Sequence, residues 1–98
     1  MSKYELILIL PGEALEDKVL SLNEKVKGIL TSLDSKVTGE SDWGVKKLSY
    51  PVKQQRTGHY FLWQIDLEEE KIKEARRLLN FEQELLRYML LKVEAKKV

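Results

Sequence analysis

The spacing of the apolar residues switches between two and three-to-four along this chain, and few folds can accommodate the order of those switches. Residues 3–10, KYELILIL, alternate at a spacing of two, as a strand does. Pro11-Gly12 ends that run. From residue 14 to 33 the spacing changes: Leu15, Val19, Leu22, Val26, Ile29, Leu30 and Leu33 recur every three or four positions and make one helical stripe. Gly28 falls inside this helix, at a cost of about 1 kcal/mol against Ala, and is expected to permit close helix–sheet contact. Residues 36–50 return to an extended pattern, with Gly39 and Gly44 marking bulges. QQRTG, residues 54–58, reads as a loop tip. HYFLWQIDL, residues 59–67, is rich in aromatic and β-branched residues and reads as a strand. Residues 68–80, EEEKIKEARRLLN, form a second helix. Its acids are expected in the first turn and Arg76-Arg77 near the end, matching the helix dipole; Ile72, Ala75, Leu78 and Leu79 are its inner stripe. LLRYMLLKV, residues 85–93, is the last strand, and 94–98 is a polar tail.

The resulting order is β-α-β-β-α-β. With two right-handed crossovers it gives an α+β, ferredoxin-like fold: a four-stranded antiparallel sheet with two helices on one face. Ninety-eight residues, 43% hydrophobic and 34% charged, suit one folded domain spanning 1–98.

One sheet face is then left without a helix. Tyr4, Leu6, Leu8 and Leu10 share the inward face of the first strand, and Phe61, Trp63, Ile65 and Leu67 share that of the third. Leu86, Tyr88 and Leu90 do the same in the last. Ile7, Ile9, Tyr60, Leu62, Met89 and Leu91 are expected on the open face, where six apolar groups on adjoining strands signal a protein partner. Pro51 is expected to end the pairing of the second strand.

Several functional classes are excluded on residue types. No cysteine is present, which removes disulfides, thiolate nucleophiles and the usual zinc cages. His59 is the single histidine and reads as a solvated or edge-packed strand residue. No serine has a histidine and acid partner set. The chain has neither a P-loop nor a Gly-x-Gly-x-x-Gly pattern, and no cofactor or metal is implied. The loop LPGEALE lacks the basic residue that a phosphate-cradling hydrolase of this fold would need. An RNA-recognition motif would place His59 and Phe61 as stacking positions, but strand parity turns Phe61 inward. The apolar run Leu6–Leu10 is too short for a signal peptide or a membrane span, so the chain reads as cytoplasmic.

Net charge is only +1, yet it is unevenly spread. Residues 35–63 carry five basic and two acidic side chains, net +3, and residues 85–98 carry four and one, net +3. Lys46, Lys47, Arg56, Arg87, Lys92, Lys96 and Lys97 supply much of it. Phosphate contacts require surface cations and no special spacing.

The stretch DWGVKKLSYPVK, residues 42–53, followed by GHYFLWQI, resembles the bacterial small-subunit ribosomal protein six family. KYELILIL at the start and LLRYMLLK near the end extend the likeness over nearly the whole chain. The resemblance implies a non-catalytic ribosomal protein of the ferredoxin-like fold. It implies binding to the central domain of 16S ribosomal RNA together with small-subunit ribosomal protein eighteen, as a heterodimer. Gly44, Lys46, Lys47, Leu48, Tyr50 and Pro51 match the family's central motif, Arg87 and Lys92 match basic positions on its last strand, and Lys3 matches one at its N-terminus. FEQELL at 81–86 and Ser2 depart from the pattern. Trp43, Leu48 and Tyr50 join the open-face residues as expected protein contacts. The alternative reading of the same fold is a small-molecule-binding regulatory domain.

Overall fold

The computed structural model describes residues 2–93. The strands are β1 (Ser2–Pro11), β2 (Lys36–Val52), β3 (Gln55–Leu67) and β4 (Arg87–Lys92); the helices are α1 (Glu16–Ser32) and α2 (Ile72–Phe81), the latter preceded by a 3-10 turn at Glu69–Lys71. The sheet runs β2-β3-β1-β4, antiparallel throughout. This is the expected β-α-β-β-α-β arrangement.

The period-two rule places the core. Tyr4, Leu6, Leu8 and Leu10 of β1, and Phe61, Trp63, Ile65 and Leu67 of β3, are all buried. They meet Val19, Leu22, Val26 and Leu30 of α1 and Ala75 and Leu79 of α2. Leu15, expected in the α1 stripe, is instead the residue before the helix and is 79% exposed. The helix ends in a Schellman motif: Ser35 N–H donates to Leu30 O and Asp34 N–H to Thr31 O, with Asp34 at φ 56°. The acids expected to open the second helix, Glu69 and Glu70, lie in the 3-10 turn, and no basic residue occupies the last turn of α2. Arg76 turns sideways instead and donates to Leu90 O of β4 at 3.2 Å.

Gly28 does not mediate helix–sheet contact. It faces solvent, and a Cβ there would have nothing within 4 Å. Gly28→Ala is therefore expected to stabilise the protein by about 0.5–1 kcal/mol, by removing a helix-interior glycine without a steric cost. A thermal melt should show a higher midpoint.

The largest departure from expectation is the β2–β3 hairpin. Its turn is only Lys53-Gln54, and residues 55–58 belong to β3. Both turn residues have positive φ, 49° and 67°, as a type I′ hairpin requires. Neither is the Gly or Asn that favours this geometry. Lys53 Nζ is anchored elsewhere, donating to Gln83 O at 3.0 Å and Leu85 O at 2.9 Å. That tether from the hairpin tip to the segment before β4 helps offset the turn's strain. Pro51 does not end the pairing: it lies within β2, in an irregular stretch between Lys47 and Val52, and Val52 pairs with Gln55. The bulges expected at Gly39 and Gly44 are present, as register shifts at Val37/Gly39 and Asp42/Gly44.

Ionic contacts tie the helical layer together. Glu84, in the segment before β4, is paired with Lys18 and, at 3.8 Å, with Lys25, both on α1. The Lys18 hydrogen bond holds the Glu84 carboxyl below the ordinary glutamate range; desolvation opposes this and Lys25 assists. A lowered folded-state pKa means that the unfolded chain binds the proton first as pH falls. The contribution is therefore complete above the unfolded value, about 4.3, and is lost as pH drops through the folded one. Glu84→Gln is expected to give a shallower loss of stability on the acid side in urea titrations across pH. At neutral pH the effect should be small, because the pair is exposed.

Candidate protein and nucleic-acid interface

Opposite the helices, cross-strand register sorts the open face into rows. Ile7 stands beside Leu62 on one side and Met89 on the other. The next row toward the β1 C-terminus joins Ile9 to Tyr60 and to Arg87. The row on the other side joins Glu5 to Gln64 and Leu91. Met89 and Leu91 are 49% and 47% exposed, and Ile7, Tyr60 and Leu62 are half-buried. The centre of the face is thus an apolar band that no element of the described chain covers.

Ile9 departs from the expectation of exposure, at only 9%. The outer arm of the hairpin is the cause. Leu48 and Tyr60 close over Gly58, where an added Cβ would lie 2.6 Å from Ile9 Cγ2 and 3.2 Å from Leu48 Cδ2. Ile9, Leu48, Tyr50, Tyr60 and Arg87 together line one shallow pocket. Tyr50 thereby reaches β4, with the Arg87 guanidinium 5.2 Å from its ring centre.

The cations separate into two groups. Lys46 lies over the rings of Trp43, at 5.5 Å, and Tyr60, at 5.9 Å. Lys47 and Arg56 border a groove with Leu48, Tyr50 and Pro51 along the hairpin arm. Lys46, Arg56 and Arg87 sit at one end of the apolar band, and Lys47, opposite Thr57, falls by register on the helix side there. Lys3 lies at the other end, opposite Asp66, and Lys92 sits beside Tyr4 and is ion-paired with Glu69. Lys96 and Lys97 lie outside the described residues. The cation–π contacts, each about 0.5–1 kcal/mol at exposed sites, order Lys46 and Arg87 while leaving their charge on the surface. Trp43, at 46% exposure, and Tyr50, at 54%, stand among the cations.

The geometry of this arm rests on a small polar cluster that the sequence did not reveal. His59 stacks on Phe61 with ring centres 4.3 Å apart, and its Nε2 lies 2.7 Å from Asp42 Oδ1. The same Asp42 oxygen accepts the Gly44 N–H at 2.8 Å. Burial acts to raise the Asp42 pKa, but the Gly44 N–H and His59 outweigh it and hold the carboxyl below its usual range. The cluster pins the bulge at which Gly44 takes φ 80°, and so sets the register in which Gly44–Lys47 pair with β3 beyond it. The Lys53 tether was equally illegible, because its acceptors are carbonyls 30 and 32 positions away.

Among the described residues, no group of three His, Cys, Asp or Glu could hold a metal ion, and no helix is long and apolar enough to cross a membrane.

Residues 3–92 match the family model described as Ribosomal protein S6. Similar curated proteins include those of Agrobacterium fabrum, 35% identical over 97% of this chain and 62% of the relative, and Geobacter metallireducens, 33% identical over 94% and 78%. Both are described as small ribosomal subunit protein bS6. The chain therefore spans less than two thirds of the Agrobacterium relative. In fold it is similar to the crystal structure of 30S ribosomal protein S6 from Thermotoga maritima, with a TM-score of 0.84, 20% identity, and coverage of 94% of this chain and 87% of that one. The motif carried by the hairpin arm and the family match across nearly all of the described residues agree: the chain belongs to the ribosomal protein S6 family, a family of ribosomal proteins and not of enzymes.

Proposed function

We propose that this chain is a structural component of the small ribosomal subunit that holds the central domain of 16S rRNA together with small-subunit ribosomal protein eighteen. The observation that carries the reading is the layout of the open face. An apolar band, Ile7, Leu62, Met89 and Leu91, has Lys46, Arg56 and Arg87 at one end and Lys3 at the other, while Lys47 and Lys92 fall by register on the helix side at those same ends. The band suits a protein partner, whose binding buries apolar surface. The flanking cations suit phosphate, since neutralising it releases counterions. Trp43 and Tyr50, held beside Lys46 and Arg87, offer ring faces at the same margin.

The two roles separate by mutation. Leu62→Glu with Met89→Glu is expected to abolish binding to the partner protein. Lys46→Ala with Arg87→Ala is expected to leave that pairing intact and weaken binding of the pair to a central-domain rRNA fragment. The slope of log affinity against log salt should become shallower by about one for each phosphate that no longer meets a cation. Co-sedimentation with small subunits tests the whole reading. A purified chain that binds neither the partner nor their joint rRNA site overturns it.

A further inference from the structure

On the helix side of the sheet, away from the open face, a cleft of about 410 Å³ separates the first turns of α1 from the β2–β3 hairpin. Its volume lies within the ordinary range of ligand-receiving clefts. Phe61 and the stacked His59 line it, with Val19 and Asn23 of α1. Three observations converge here. Leu20 and Val45, two of its lining residues, are large apolar side chains left 58% and 54% exposed, and Leu15, beside lining residues Ala14 and Glu16, is 79% exposed. The Asn23 Oδ1 atom is shut from solvent and accepts no hydrogen bond from the chain, an arrangement that costs stability unless a donor arrives. Finally, the charge is one-sided. Glu16 and Asp42 line the cleft, the latter with one oxygen already held by His59 and the Gly44 N–H; no lysine or arginine lines it, and of the two residues after Glu16, Asp17 is acidic and Lys18 is paired away with Glu84.

We propose that this cleft receives a basic segment of a protein partner: an apolar side chain flanked by lysine or arginine, with an N–H donor for Asn23. Apolar walls supply the contact area. The acidic rim selects and steers a cationic segment, as complementary charge does at protein interfaces. The helix dipole already favours acids at the start of α1, but it explains neither the exposed Leu20 and Val45 nor the orphaned Asn23 oxygen. Asp42, Val45, His59 and Phe61 alternate in register with the open-face Gly44 and Tyr60, so the cleft lies on the reverse of the open face. A partner here does not compete with the open face, and the proposal is independent of the role proposed for that face.

The test uses the full isotope-labelled chain in solution and two capped peptides, Lys-Lys-Trp-Leu-Lys-Lys and Glu-Glu-Trp-Leu-Glu-Glu. The lysine peptide is expected to shift the amide signals of Gly12, Leu20, Asn23, Val45 and His59, and added salt should weaken it. The glutamate peptide is expected to leave them unmoved. Glu16→Lys should reduce the lysine peptide's affinity severalfold. Asn23→Leu should raise the melting midpoint of the free chain while weakening the peptide about tenfold, the opposite movements expected of a group kept for a partner. Retained dispersion of the amide signals shows that each variant is folded. The proposal is overturned if the lysine peptide produces no shifts, if both peptides act alike, or if the shifts fall on Ile7, Leu62 and Met89. It is also overturned if a uridine oligonucleotide shifts the cleft amides in place of the peptide.

Discussion

Trp63→Ala is expected to destabilise the protein by about 3–5 kcal/mol. The indole is 1% exposed and leads the fully buried side chains by volume. It stands opposite Leu6 of β1 and Glu40 of β2, so it fills the core from the middle of the sheet. Lys27 of α1 lies 5.4 Å from its ring centre, which shows how close the helix comes. Alanine would lose the transfer energy of the indole and leave a cavity that a four-stranded sheet cannot readily close. A domain of this size has only about 5–15 kcal/mol in total, so much of the population should be unfolded at physiological temperature. Urea denaturation followed by circular dichroism measures the loss, since the substitution removes one of only two tryptophans. Trp63→Phe should retain a larger share of the stability. A loss below about 1 kcal/mol for the alanine variant would contradict the packing described.

Gly12→Ala carries the second large effect, for a different reason. The added Cβ would lie 2.7 Å from Thr57 Cβ and 2.8 Å from the Thr57 carbonyl carbon. Gly12 cannot simply retreat, because its N–H donates to Thr57 O at 3.1 Å. The clash involves backbone, so Thr57→Ser does not relieve it. Overpacking of this kind costs about 1–3 kcal/mol. The expected result is a lower urea midpoint with an unchanged slope, along with altered amide shifts in the hairpin arm, whose base Thr57 forms. An unchanged midpoint would mean that the two segments separate freely.

The sequence made the fold legible wherever one face of an element is buried. Leu6, Leu8 and Trp63 are recognisable as core because alternation leaves a strand residue only two directions, and the polar neighbours mark which is outward. The same rule found the apolar band, since Ile7, Leu62 and Met89 share the face with Glu5, Gln64 and Arg87. It failed at Ile9. Ile9 has the parity of an open-face residue, yet it is only 9% exposed and shares its surroundings with Leu48 and Tyr50 of another strand. Periodicity describes an element's own faces and carries no information about a distant segment folding over one of them.

Segment ends and lone residues were less legible. The hairpin turn at Lys53-Gln54 lacks the Gly or Asn that would announce it, because tertiary hydrogen bonds from Lys53 help hold it. Leu15 fits a helical stripe by spacing and falls outside the helix. Gly28 suggested close packing by its residue type alone, whereas its direction depends on how α1 is rotated on the sheet. His59 appeared as an isolated histidine, although the bulge at Gly44 brings Asp42 against it across a gap of 17 residues.

The order of elements, the inward face of each core strand and, through the Gly44–Val52 motif, the family all follow from the residues in their linear order. These are properties of near neighbours, where sterics and burial act over a few positions. Three-dimensional packing alone gathers Lys46, Arg56 and Arg87 at one end of the apolar band, brings Tyr50 to Arg87 and opens a cleft behind the sheet at Asn23. Each depends on contacts between residues far apart in the chain. Those contacts depend on how the twisted hairpin lies against β4 on one face and α1 on the other, which no local pattern encodes.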